Sequence, residues 1–149
     1  MSYTNLLCHI IFRTKKSRQT ISEEHCTDLY KYIWSIVKSN NCVLYRINGM
    51  PDHIHLLVEM DPKIALSDFV RQVKSSSSNF MKSHREWFPM FEGWAEQYCA
   101  LSKSLEERET VRQYIINQKE HHKKLSWKEE ISQLMKEAGL EDKIPYFTD

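Results

Sequence analysis

Apolar, β-branched and aromatic positions crowd together from Tyr3 to Phe12 (YTNLLCHIIF) and stop at a polar, basic turn, which predicts a strand. Ser22 followed by Glu23 and Glu24 has the composition of a helix start. Leu29, Ile33, Trp34, Ile36 and Val37 then recur at helical spacing until Asn40 and Asn41. Cys42 to Ile47 reads as a second strand, Asn48 to Asp52 as a turn, and Ile54 to Met60 as a third strand, a hairpin-like pair. Ser67 and Asp68 can cap a helix running to about His84, with Phe69, Val70, Val73 and Phe80 on its apolar face. After an aromatic loop, Glu96 to Ser102 predicts a last strand. Ser104 caps a helix that carries Val111, Tyr114, Ile115 and Gln118 and ends near Lys124. A terminal helix, Lys128 to Ala138, stops at Gly139.

The order β-α-β-β-α-β-α is that of an α+β fold, the ferredoxin-like or RRM-like split β-α-β, with one added C-terminal helix that bears Tyr114. It implies an antiparallel sheet with helices on one face, and the other face open to a substrate or a partner. A length of 149 residues suits one domain, with residues from about 126 onward forming a C-terminal helix and tail. No apolar run approaches the roughly 20 residues that span a bilayer, and the first twelve residues lack a secretory signal, so the expected place is the cytoplasm. Four scattered cysteines with no C-x-x-C pair argue against a cysteine-based zinc site.

The net charge of +1 conceals an asymmetry: residues 1 to 85 carry 12 Lys/Arg against 7 Asp/Glu, residues 86 to 149 carry 9 against 13. Arg13, Lys15, Lys16 and Arg18 form one acid-free cluster, and Lys119, His121, His122, Lys123 and Lys124 a second. Such clusters neutralise phosphates, and they also occur as plain solvated loops and helix ends.

Pro51-Asp52-His53-Ile54-His55 is the most informative stretch. Residues i and i+2 of a strand project from the same face, so His53 and His55 present two imidazoles side by side, a natural start for a divalent metal site. On the last long helix, Tyr114 and Gln118 are four residues apart and share a face, where a glutamine oxygen can join the same ion and hold the phenol beside it. Each pair alone also fits ordinary packing or surface; together they select a site.

The motifs in order resemble the HUH-type single-tyrosine transposases of small insertion sequences, including relatives associated with repetitive extragenic palindromes. The resemblance runs through HIIF, NGMPDHIHLLVEM (48 to 60), VKSSSSNF (73 to 80), FEGWAEQYCALSKS (91 to 104) and VRQYIINQKEHHKK (111 to 124). One departure is Gln97-Tyr98-Cys99, where relatives often have G-Y-G. The resemblance implies His53, His55 and Gln118 as ligands of Mg²⁺ or Mn²⁺ and Tyr114 as the nucleophile. It further implies cleavage and rejoining of single-stranded, hairpin-forming DNA through a 5′-phosphotyrosine, and a homodimer in which one subunit's tyrosine helix can complete the other's histidine site. Arg13, Lys15, Lys16, Arg18, Arg71 and Lys74 are candidate phosphate contacts, and His121 and His122 candidate bases. The alternatives are an HUH nickase of the replication-initiator or relaxase type, and a non-catalytic nucleic-acid-binding module on the same fold.

Overall fold

A computed structural model describes residues 2 to 148. The strands are β1 (Leu7–Arg13), β2 (Val43–Met50), β3 (His53–Glu59) and β4 (Cys99–Lys103). They form one antiparallel sheet in the order β2-β3-β1-β4, so the first and third strands are central. Helices α1 (Cys26–Ser39) and α2 (Leu66–Ser83) are the two crossovers, and the order is that of the split β-α-β fold expected from the sequence. Beyond β4 come α3 (Arg108–Ile116), α4 (Gln118–His121), α5 (Trp127–Glu137) and α6 (Ile144–Thr148). Among the described residues, no helix is long and apolar enough to cross a membrane.

Alternation along the central strands divides the molecule into layers. Ile10 and Phe12 of β1, with Ile54, Leu56 and Val58 of β3, meet Leu29, Ile33 and Val37 of α1 and Phe69, Val70 and Val73 of α2 in the main core. The opposite face is not open, contrary to the expectation from element order. Ile11, Cys99 and Leu101 lie under Trp127, Ile131 and Met135 of α5 and Phe147 of α6. Leu7 and Leu57 lie under Val111 and Ile115 of α3. The reason is physical: α5 carries a buried apolar stripe at positions i, i+4 and i+8, and the sheet's second face is apolar at Ile11, Leu57 and Leu101.

Several boundaries shift from those the pattern predicts. β1 starts at Leu7 instead of Tyr3, because its ladders to β3 and β4 begin at Leu7, and Tyr3 is exposed. α1 starts at Cys26, after a turn that holds Ser22 to His25, and β4 runs from Cys99 to Lys103. The helix expected to run unbroken to Lys124 divides at Asn117 into α3 and α4. The five-residue turn expected at 48 to 52 shrinks to Pro51 and Asp52: Asn48, Gly49 and Met50 pair with His55, Ile54 and His53. Gly49 permits this close pairing, since a Cβ there would stand 2.2 Å from the carbonyl oxygen of His53 and 2.9 Å from Cα of Ile54, both backbone atoms. We therefore expect Gly49→Ala to destabilise the protein by at least about 2 kcal/mol in urea unfolding, since the backbone cannot make room cheaply; an unchanged midpoint would show that the hairpin gives way easily.

Candidate active site

β3 delivers His53 and His55 to the face covered by α3 and α5, side by side as strand geometry predicts, and both are fully buried. Each imidazole has its far nitrogen engaged. Nδ1 of His53 donates to Asp52 Oδ1 at 2.7 Å, because a carboxylate can only accept. Nδ1 of His55 is 2.8 Å from Nε2 of His9, which projects from the neighbouring strand β1 and is itself buried. Burial is the main cause holding His55 down to about 4, and it also holds His9 well below its ordinary value, so both are neutral rings at pH 7. Burial pulls His53 the same way, yet Asp52 and Glu130 beside it prevail and raise its pKa.

The tyrosine and the glutamine reach this spot through the break at Asn117. Asn48 on β2 donates its amide to the carbonyls of Ile115 and Ile116, both at 3.1 Å, and so satisfies the end of α3 where helical bonding stops. α4 then restarts at Gln118, which is fully buried. Its Oε1 lies 3.3 Å from Nε2 of His53. Within this chain the Tyr114 ring stands 6.0 Å from that of His55.

The residue that sequence reasoning missed is Glu130 on α5. It is 1% exposed and sits at the centre of the cluster. Its Oε1 is 2.9 Å from Nε2 of His122, 3.3 Å from Nε2 of His55 and 3.4 Å from Nε2 of His53. Its Oε2 accepts the Tyr114 hydroxyl proton and the Gln118 amide at 2.8 Å. Burial works to raise the Glu130 pKa, but hydrogen bonds from His122, His53 and His55 outweigh it and hold the carboxyl well below its usual range. Burial, and then the Glu130 carboxylate, push the Tyr114 phenol up, so it is a neutral donor. In the sequence Glu130 looks like one of the acids that favour a helix N-terminus, behind the Ser126 cap that accepts from the Glu129 amide. Only its tertiary neighbours set it apart.

The donor set fits a cation. With its Nδ1 proton given to Asp52, His53 turns Nε2 toward two oxygen acceptors, Oε1 of Gln118 at 3.3 Å and Oε1 of Glu130 at 3.4 Å. That nitrogen needs a positive centre between itself and the oxygens, either its own proton, as the raised His53 pKa favours, or a metal cation in the proton's place. His53, His55 and Glu130 each offer a ligand atom within 4.8 Å of the others, a mixed nitrogen and oxygen set suited to a divalent ion.

The remaining candidates fall into place less uniformly. His121 stacks on the Tyr114 ring at 4.4 Å and its Nε2 donates to the Tyr114 carbonyl at 3.2 Å, so it holds the ring and not the phenol oxygen. His122 is bound to Glu130. Arg13 lies over the Trp127 ring at 4.8 Å and donates to the Thr148 carbonyl, in the packing of the C-terminal helices. Arg18 pairs with Glu92, and Arg71 with Asp68. Lys74 donates to the carbonyls of Ala95, Glu96 and Gln97, and burial lowers its pKa to about 8. Lys15 and Lys16 are exposed on the turn after β1. That turn is tied to the histidine hairpin: the Thr14 amide donates to the Asp52 carbonyl, and the Thr20 and Ile21 amides to the Pro51 carbonyl.

Residues 2 to 118 match the family described as "Transposase IS200 like", and the chain belongs to that family. It is 28% identical over 116 residues to the ISDra2 transposase TnpA of Deinococcus radiodurans, covering 74% of this chain and 81% of that one. It is 29% identical over 80 residues to the transposase for insertion sequence element IS200 of Salmonella typhimurium, covering 52% of this chain and 53% of that one. Among solved structures it is similar to a Deinococcus radiodurans transposase, with a TM-score of 0.62, 30% identity, and coverage of 78% of this chain and 93% of that one. It shares its fold with a REP-associated tyrosine transposase bound to a REP hairpin, with a TM-score of 0.62, 11% identity, and coverage of 82% and 72%. The family match ends at Gln118, so Glu130 and α5 lie beyond it.

Asn48 is the residue whose local effect is simplest to test. Removing its amide strands the two carbonyls at the end of α3, and we expect Asn48→Ala to cost about 1–3 kcal/mol in urea unfolding. A loss below about 0.5 kcal/mol would mean that solvent satisfies them instead.

Proposed function

We propose that this transposase cleaves and rejoins single-stranded DNA through a covalent link to Tyr114, with a Mg²⁺ or Mn²⁺ ion held by His53, His55 and Gln118. The observation that carries the reading is the meeting of four side chains from three elements on one buried face. They are two imidazoles with their far nitrogens engaged, an amide oxygen facing one of them, and a phenol on the helix before it.

When bound, the ion supplies charge that polarises the scissile phosphate and offsets the negative charge of the transition state. The chain's own groups do the rest. His9 and Asp52 fix the ring orientation of the two histidines. His121 stacks on Tyr114 and limits the directions in which its oxygen can point. The Tyr114 oxygen gives up its proton and attacks phosphorus, the bond from phosphorus to the 3′ oxygen breaks and that oxygen takes up a proton, leaving a 5′-phosphotyrosine and a free 3′-hydroxyl. No water is consumed, so the bond energy is kept, and a 3′-hydroxyl from another strand can reverse the step with a new partner. That exchange distinguishes transposition from simple nicking.

The DNA partner is a single strand able to fold into a hairpin; a fold relative bound to a REP hairpin supports this. Exposed Lys15 and Lys16 are the basic side chains of the first cluster best placed to meet phosphates. A homodimer is part of the reading, with the outer strands β2 and β4 as the sheet edges for pairing.

With labelled hairpin DNA and Mn²⁺, the wild type should form a covalent protein–DNA adduct visible on denaturing gels. Tyr114→Phe should lose the adduct and keep DNA binding within about twofold, because only the nucleophilic oxygen is removed; an adduct formed by this variant would refute the assignment. His53→Ala should lose the dependence on added metal together with cleavage. His9→Phe removes the partner of His55, and we expect Mn²⁺ affinity to fall by about 10–100-fold in a calorimetric titration. Unaltered affinity in that variant would reduce His9 to packing.

A further inference from the structure

The fully buried state of the site raises a question of access. His53, His55 and Gln118 have no exposed surface, and Glu130 has almost none. A phosphodiester cannot touch any ion at that spot while α5 lies where it does. The cavity that reaches His9 and Tyr114 from the side is walled by Glu106, Glu107 and Glu137, with Lys103 as its single cation, and so repels a nucleic-acid backbone.

Glu130 occupies the place where that phosphodiester would have to be. Oε1 lies against the nitrogens of both strand histidines, on the side where an ion would be bound. Oε2 accepts the hydroxyl proton of Tyr114. A scissile phosphate needs the same two relations, one anionic oxygen on the ion and its other side toward the tyrosine oxygen. We propose that Glu130 is an additional ligand of the ion held by His53, His55 and Gln118, and that its carboxylate holds the coordination position of the scissile phosphate until DNA displaces α5. The metal half stands on the donor set alone; the phosphate half rests on the function proposed above.

The lock is built from separable parts. Trp127, Ile131 and Met135 seat α5 on Ile11, Cys99 and Leu101, with the Trp127 ring 6.2 Å from that of His53, and Ser126 caps its start. The link between α4 and α5 holds His122, Lys123 and Lys124, of which both lysines are exposed. Lys123 pairs with Glu120 at 3.1 Å, so a strand approaching the site meets chiefly Lys124 at this link, while its phosphate competes with a carboxylate for one position. The exchange replaces one oxygen anion by another, so the ion keeps its histidines and Gln118 throughout.

The test uses the full chain and has two independent readouts. Mn²⁺ affinity is measured by calorimetry without DNA, and adduct formation with a labelled single-stranded hairpin oligonucleotide is followed at saturating Mn²⁺. Glu130→Gln should bind Mn²⁺ at least about tenfold more weakly, having lost an anionic ligand. At saturating Mn²⁺ it should bind the oligonucleotide more tightly and form adduct at least about fivefold faster than wild type, since an amide competes poorly with a phosphate for the ion. Met135→Ala, which loosens the seat of α5 and touches no ligand, should likewise accelerate adduct formation, with its Mn²⁺ affinity changed less than that of Glu130→Gln. Wild-type Mn²⁺ affinity in Glu130→Gln would overturn the ligand assignment. Loss of adduct in both Glu130→Gln and Met135→Ala, with metal saturated and circular dichroism unchanged, would overturn the exchange and make α5 a part of the working site. If wild type itself forms no adduct on any hairpin, the proposed function fails while the metal titration still decides the ligand.

Discussion

The register between the two central strands is the constraint on which everything else rests. β1 and β3 pair so that Arg13 faces His53, Ile11 faces His55 and His9 faces Leu57. Because the side-chain period of a strand is two, a slip of one residue would turn both histidines into the main core and bring Ile54 and Leu56 to the site. The main core forbids this: Ile10, Phe12, Ile54, Leu56 and Val58 have no other place to be buried. Hydrophobic packing on one face thus fixes the chemistry on the other. The short turn at Pro51 and Asp52, made possible by Gly49, finishes the job by starting β3 at the first histidine.

Much of this could be read from the residues. The two histidines share a face because period two leaves no choice, and Tyr114 and Gln118 share one because of helical spacing. The break between them could not be read. Asn117 is an ordinary residue in a helical pattern, and what ends the helix there is a side chain from a strand almost seventy residues earlier, Asn48. The covering of the second face was equally hidden. The stripe Trp127, Ile131, Met135 announces a helix that must bury one side, but a stripe does not name its partner. Glu130 was hidden most completely, since one acid at the start of a helix looks like another. Its neighbour Glu129 does serve the cap, bonding to Ser126.

The electrostatics of the site follow from burial on both sides. Asp52 and His9 settle which nitrogen of each strand histidine faces inward. The inward nitrogens and the carboxylate then form a buried group that holds either protons or a cation between its members. Such a cluster is costly for an isolated fold, and its presence on a sheet that could have been apolar throughout identifies where the chain gives up stability for chemistry.

The backbone bonds from Thr14, Thr20 and Ile21 to the Pro51–Asp52 turn make the basic loop after β1 and the histidine strand parts of one rigid body. Lys15 and Lys16 are therefore held at a set span from His53. Substitution of a side chain in the loop leaves that span in place, because the bonds that set it run between backbone atoms.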